Sequence, residues 1–169
     1  MEIKAGDNEI RIIDNFLSEY HFERLQSLLM GGEIGWSYIE RIVDYKDTNV
    51  PLLCHMFYNG MTQKKGLYFS FIEPCLTRLG SSKLYRIKAN LNFKSVFRRN
   101  TGYHVDGLPC SQTALLYITT NNGYTKFKKG PRVKCVENRM VIFDSNLEHA
   151  AVTCTDEKIR ISINFNYES

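Results

Sequence analysis

The chain has 169 residues, of which 43% are hydrophobic and 24% charged, and a formal net charge of +4. That length suits one domain, and the composition excludes a largely disordered chain. No apolar run approaches the ~18–20 residues of a membrane helix, and the first residues, Met1 to Asp7, hold no apolar signal core. Five widely spaced cysteines with no Cys-x-x-Cys pair exclude a zinc ribbon or a thioredoxin-like motif. The expected setting is therefore reduced, cytoplasmic and free of membrane. The basic clusters Lys64-Lys65, Arg98-Arg99 and Lys126-Lys128-Lys129 read as solvated loop charge before they read as a nucleic-acid footprint.

In chain order, Glu9 to Ile13 reads as a short strand. Ser18 is a good N-cap, and Phe22, Leu25, Leu28 and Leu29 then fall at helical spacing up to the stop at Gly31-Gly32. Leu52 to Tyr58 reads as a strand. Leu67, Phe71, Cys75 and Leu79 suggest a second helix ended by Gly80, with Pro74 implying a kink or a late start. From Leu84 onward the chain reads as β. Tyr85, Ile87, Ala89, Leu91 and Phe93 alternate with Arg86, Lys88, Asn90 and Asn92. Thr113 to Thr119 is strand-like, and Arg132–Val136 and Met140–Phe143 flank Glu137-Asn138-Arg139 as a plausible hairpin. Ile159, Ile161, Ile163, Phe165 and Tyr167 alternate with Arg160, Ser162, Asn164 and Asn166.

Two helices before many short strands suggest an α+β, mainly β chain: a sandwich or open barrel with helices on one outer face. If the helices cover one sheet, the apolar faces of the two alternating strands point outward against them. Their polar faces then line a cationic pocket with Arg160, Asn90 and Asn92. The competing expectation is a sheet whose polar faces are simply wet.

Gly102-Tyr103-His104-Val105-Asp106-Gly107 favours the pocket. On a strand, residues two apart share a face, so His104 and Asp106 can present a nitrogen and an oxygen to one ion. The third ligand is sought at His149, 43 residues beyond Asp106 and expected at a strand end. Two His and one carboxylate on one face leave open octahedral positions, the facial triad of non-haem Fe(II) oxygenases. His21, in a helix, and His55, in an apolar strand, have no carboxylate at ligand spacing. Arg160 adds a guanidinium whose fork matches a carboxylate, with Ser162 on the same face.

Together, His104-x-Asp106, His149 and Arg160-x-Ser162 resemble the 2-oxoglutarate/Fe(II)-dependent dioxygenases, and more closely their prolyl 4-hydroxylase-like branch. Leu115-Leu116-Tyr117-Ile118 resembles the strand after the His-x-Asp motif. Asn122-Gly123-Tyr124-Thr125-Lys126-Phe127 resembles a Gly-Gly-Glu-Thr segment, and Arg139 to Asp144 the strand leading to the distal His. The resemblance implies a double-stranded β-helix (jelly-roll) core over 84–167, with 1–83 as a helical and strand support, in a single domain of 1–169. It implies Fe(II) held by His104, Asp106 and His149, with 2-oxoglutarate as co-substrate and O2 as oxidant. Arg160 and Tyr117 would hold the C5 carboxylate, and C–H hydroxylation would release succinate and CO2. Asn92 falls about where many members carry a Tyr.

Substrate readings stay open: a peptide or protein proline, a small molecule, or a nucleobase stacked near Tyr103, Tyr124 and Phe127. Two rivals differ in class. A non-catalytic jelly-roll binding module has no need of all four residues, and a cupin-type metalloenzyme usually presents more histidines.

Overall fold

The computed structural model describes residues 1–5, 8–40 and 50–169. In chain order the strands are β1 (Glu2–Ala5), β2 (Asn8–Ile13), β3 (Ser37–Ile39), β4 (Leu52–Asn59), β5 (Lys64–Lys65), β6 (Lys83–Phe93), β7 (Gln112–Tyr117), β8 (Tyr124–Phe127), β9 (Arg132–Lys134), β10 (Arg139–Asp144), β11 (His149–Val152) and β12 (Ile159–Glu168). Helix α1 (Glu19–Met30) follows β2, and α2 (Glu73–Leu79) follows a 3₁₀ turn at Phe69–Phe71.

Among the described residues, a large antiparallel sheet runs β1-β2-β10-β7-β12-β6-β4-β3, with β5 on β4, and a small one runs β11-β8-β9. Isolated bridges from Asn100 to Val152 and from His104 to His149 lay the 100–104 segment beside β11 as a further edge. The two sheets enclose Tyr117, Leu115, Val141, Phe143, Phe127 and Val133. This is the double-stranded β-helix expected from the sequence.

The outer face of the large sheet carries the main core. Ile161, Ile163, Phe165 and Tyr167 of β12 and Ile87, Ala89 and Leu91 of β6 pack with Phe22, Leu25, Leu28 and Leu29 of α1 and Cys75 of α2. Burying the Ile, Leu and Phe side chains among them contributes about 1.5–3 kcal/mol each. The helices thus claim the apolar face of every alternating strand and leave the polar face to the interior, as the pocket reading requires.

Local signals explain the helix ends. Ser18 caps α1, its hydroxyl accepting from the His21 amide. Pro74 sits in the first turn of α2, where its missing N–H is harmless, so the second helix starts late and is not kinked. Gly80 ends it at φ +66°.

The hairpin expected across Glu137-Asn138-Arg139 does not form, because β9 and β10 belong to different sheets. Asn138, at φ 56°, redirects the chain between them. Its buried side chain donates to the Leu17 carbonyl at 2.9 Å and accepts from the Leu17 amide at 2.8 Å, tying the crossing to the start of α1. A left-handed residue with two backbone partners serves this crossover better than a two-strand turn.

Candidate active site

His104, Asp106 and His149 converge, their ligand atoms all within 4.8 Å of one another. Two details differ from the sequence reading. The His-x-Asp segment is not a regular strand: His104 makes one bridge, and Asp106 lies in irregular chain before β7. His149 opens β11 rather than closing a strand. The bridge itself, His104 N–H to His149 carbonyl and the reverse, both at 3.0 Å, sets the two rings side by side. Their centroids are 4.7 Å apart.

Each imidazole is oriented from behind. His149 Nδ1 lies 2.9 Å from the Leu147 carbonyl, and His104 Nδ1 lies 3.2 Å from that of Gly102. A carbonyl only accepts, so Nδ1 carries the proton and Nε2 is left with a lone pair for an ion. Phe143 and Phe127 wall His149, with centroids at 4.9 and 6.3 Å. Burial, with His104 alongside, holds the His149 pKa below its ordinary value and favours the neutral, ligating form.

Asp106 is held by a polar cage. Arg86 Nη2 donates to it at 2.6 Å, Asn166 Nδ2 at 2.8 Å, and Asn164 Nδ2 and Thr113 Oγ1 at 3.2 Å. Burial raises its pKa, but His149, Arg86 and the two amides outweigh burial and keep the carboxyl below the usual range. The carboxylate is thereby fixed in its charged form.

Along β12 from Asn166 and Asn164 the inner face continues through Ser162 to Arg160. Arg160 is 2% exposed. Among the described residues its guanidinium donates only to neutral groups: Cys135 Sγ at 3.1 Å, Asn92 Oδ1 at 3.4 Å and Thr125 Oγ1 at 3.4 Å. It stands 5.6 Å above the Tyr117 ring, whose hydroxyl donates to the same Thr125 oxygen at 2.7 Å. Gly123 packs over the stem: a Cβ there would lie 3.1 Å from Arg160 Cδ and 2.8 Å from the Val152 carbonyl oxygen. Asn92 and Asn90 of β6 lie opposite Arg160 and Ser162. Asn92 Nδ2, Asn90 Oδ1 and Asn164 Oδ1 are buried without a hydrogen-bond partner among the described residues. All eight residues singled out from the sequence therefore line one interior.

Arg86, Thr113, Asn164 and Asn166 complete the cage, and Thr125 links Arg160 to Tyr117. Alternation already placed Arg86, Asn164 and Asn166 on the polar face, but only the fold gives them Asp106 as partner. The suggested stacking surface loses Phe127, which is 1% exposed and packed edge-on against Phe143. His55 is an aromatic-cluster residue, beside Phe57 at 4.8 Å, Tyr68 at 6.1 Å and Trp36 at 6.5 Å.

The donor set fits Fe(II): two imidazoles and one carboxylate whose ligand atoms lie within 4.8 Å of one another. The interior beyond it fits a polar dianion. Among the described residues, a buried guanidinium with no carboxylate partner and the orphaned Asn92 Nδ2 donor form a cradle that a keto acid would satisfy.

No family model matches the chain, and no curated protein does. Solved structures do. A 2OG-Fe(II) oxygenase-family oxidoreductase from Burkholderia pseudomallei aligns with a TM-score of 0.73 at 11% identity, over 94% of this chain and 84% of that one. A Pseudomonas putida prolyl-4-hydroxylase gives 0.61 at 13% identity, over 96% and 94%. A prolyl hydroxylase from Trichoplax adhaerens, in complex with a hypoxia inducible factor peptide fragment, gives 0.58 at 16%, over 94% and 82%. The chain has the fold of the 2-oxoglutarate/Fe(II) oxygenases.

Proposed function

We propose that the protein is an Fe(II)- and 2-oxoglutarate-dependent dioxygenase that hydroxylates a C–H bond with release of succinate and CO2. The observation that carries this reading is Arg160, a buried cation with no carboxylate partner among the described residues, on the same inner face that leads to the triad. A pure binding module has no need of a facial donor set together with that cation, and a keto-acid-free metalloenzyme has no need of the cation.

His104, Asp106 and His149 would hold the ion through Nε2, a carboxylate oxygen and Nε2. Bound Fe(II), with 2-oxoglutarate and O2, supplies the oxidation itself. The protein positions the partners. Arg160 receives the distal carboxylate, and Tyr117 and Thr125 fix the guanidinium plane. Asn92 and Asn90 offer amide groups to the bound acid, with Ser162 between them and Tyr117 across the sheet. Arg86, Thr113, Asn164 and Asn166 keep Asp106 anionic and oriented. Phe143 and Phe127 exclude water behind His149.

The prolyl 4-hydroxylase-like branch, and with it a peptide or protein substrate, is supported by the likeness to two prolyl hydroxylases, one of them holding a peptide. A small-molecule substrate uses the same site; a nucleobase is less favoured, since one of the three supposed stacking rings is buried in the core. We place the domain over 1–169, with 84–167 as the catalytic core. A cytoplasmic setting is supported by five cysteines that are all free thiols. No helix among the described residues is long and apolar enough to cross a membrane.

The test is an anaerobic titration with Fe(II), then 2-oxoglutarate, followed by the visible charge-transfer band of the chelate. The band is expected in the wild type and absent in His149→Ala, with the circular dichroism unchanged. Metal binding without the band refutes the keto-acid assignment; unchanged metal affinity in His149→Ala refutes the triad.

A further inference from the structure

The inner face of β6 carries one cation that the reaction as derived does not use. Lys88 shares that face with Arg86 and Asn90. It lies opposite Asn164 of β12 and Met56 of β4. It is half-buried. Among the described residues it has no hydrogen-bond or ion-pair partner, and its ionisable neighbours are Arg86, Cys54 and Asp106. Asp106, the carboxylate among these neighbours, already takes Arg86 at 2.6 Å, both amides and Thr113. Burial and Arg86 press on the ammonium and lower its pKa.

The row in which Lys88 sits decides what it serves. Arg160 pairs in register with Asn92, whereas Lys88 pairs with Asn164, whose amide holds Asp106. Four residues of strand, ~13 Å, separate the two rows. The co-substrate's distal carboxylate belongs to the Arg160 row. Lys88 stands level with the metal-ligand carboxylate, one strand across the sheet from β12. A bound divalent ion would add positive charge there, and Arg160 would consume the distal charge of the keto acid. Lys88 would still lack a counter-ion.

Resting on the dioxygenase reading above, we propose that Lys88 is a specificity residue that binds an anionic group, a carboxylate or phosphate, of the prime substrate beside the metal. A partly desolvated ammonium suits either anion as a point charge. Half-burying it without a hydrogen-bond partner costs solvation free energy that an incoming anion offsets. Substrates lacking that group would leave the cation uncompensated and be rejected, the same asymmetry by which unpaired buried polar groups give specificity.

The probes are acetate and inorganic phosphate, titrated at constant ionic strength into Zn(II)-loaded protein saturated with 2-oxoglutarate. The readout is the amide resonances of Lys88, Ala89 and Met56. Saturable shifts are expected in the wild type and in Lys88→Arg. In Lys88→Met the affinity should fall about tenfold or more, as loss of a charge-assisted contact predicts. Whichever anion saturates first names the group the substrate carries. No saturable shift with either anion, or equal shifts in Lys88→Met whose other resonances match the wild type, overturns the proposal. Failure of the function itself looks different: 2-oxoglutarate would then fail to perturb the Arg160 and Asn92 resonances, whatever Lys88 does.

Discussion

Replacing Arg160 by methionine separates stability from function. Without an acid in the site, the wild type buries a guanidinium among neutral groups. Two of its three side-chain contacts are long, at 3.4 Å to Asn92 and Thr125. Replacing buried ions by apolar side chains of similar size is often stabilising, by about 1–4 kcal/mol. Against this stand the lost neutral contacts, about 1 kcal/mol each when well formed and less at these lengths. The balance favours Arg160→Met by about 1 kcal/mol, a rise in Tm of about 2–4 °C for a chain of this size. The metal-loaded wild type should gain about 2.7 kcal/mol from 2-oxoglutarate at a hundred times its Kd. The variant, without the receptor for the distal carboxylate, should gain much less. Differential scanning calorimetry of both proteins, with metal and with or without the keto acid, reads all four values. A lower Tm for Arg160→Met without 2-oxoglutarate, or an equal ligand-induced shift in both, refutes the account of Arg160 as an unpaired receptor.

Two further outcomes follow from the polar cage and the strand ends. Asn166→Ala removes the 2.8 Å contact to Asp106 and the 3.1 Å contact to Thr113. Metal affinity should drop about 10–100-fold with the fold retained; competition against a chelating dye measures it, and an unchanged affinity would show that Arg86 and Asn164 suffice. Asp14 receives Arg139 at 2.6 and 3.0 Å, and these bonds hold its carboxyl below the ordinary value. Such a group adds stability above its unfolded pKa of about 3.9 and loses it as pH falls through the lower folded value. The pair is partly exposed, so Asp14→Asn should cost less than about 1 kcal/mol near neutrality and nothing at the acid end. A cost that stays constant across that range in urea titrations would argue against the ion pair.

Much of this was legible in the chain because two physical periods dominate it. The strict alternation of Arg86 to Phe93 and Ile159 to Tyr167 gave β6, β12 and their faces, and the cap at Ser18 gave the start of α1. What stayed hidden depends on three-dimensional crossings. The short strands β8 and β11 are set by the opposite sheet, since four-residue segments carry little pattern of their own. The turn at Asn138 looked like a hairpin because sequence shows a left-handed residue but not which sheet receives the chain next. The triad and Arg160 were visible by residue type and spacing. The bonds from Asn164, Asn166 and Thr113 to Asp106 were not, because they join segments up to 60 positions apart.

The two faces of β12 have a consequence for how the protein could fail. Its side chains serve alternately the helix-packed core and the pocket, so its register is a switch with one correct setting. A slip of a single residue would drive Arg160, Asn164 and Asn166 into the packing of α1 and present Ile161 and Phe165 to the site. Such a chain would lose its core and its chemistry in one event. Folding and assembly of the donor set are therefore one cooperative decision, and an insertion in β12 would not leave a folded but inactive protein.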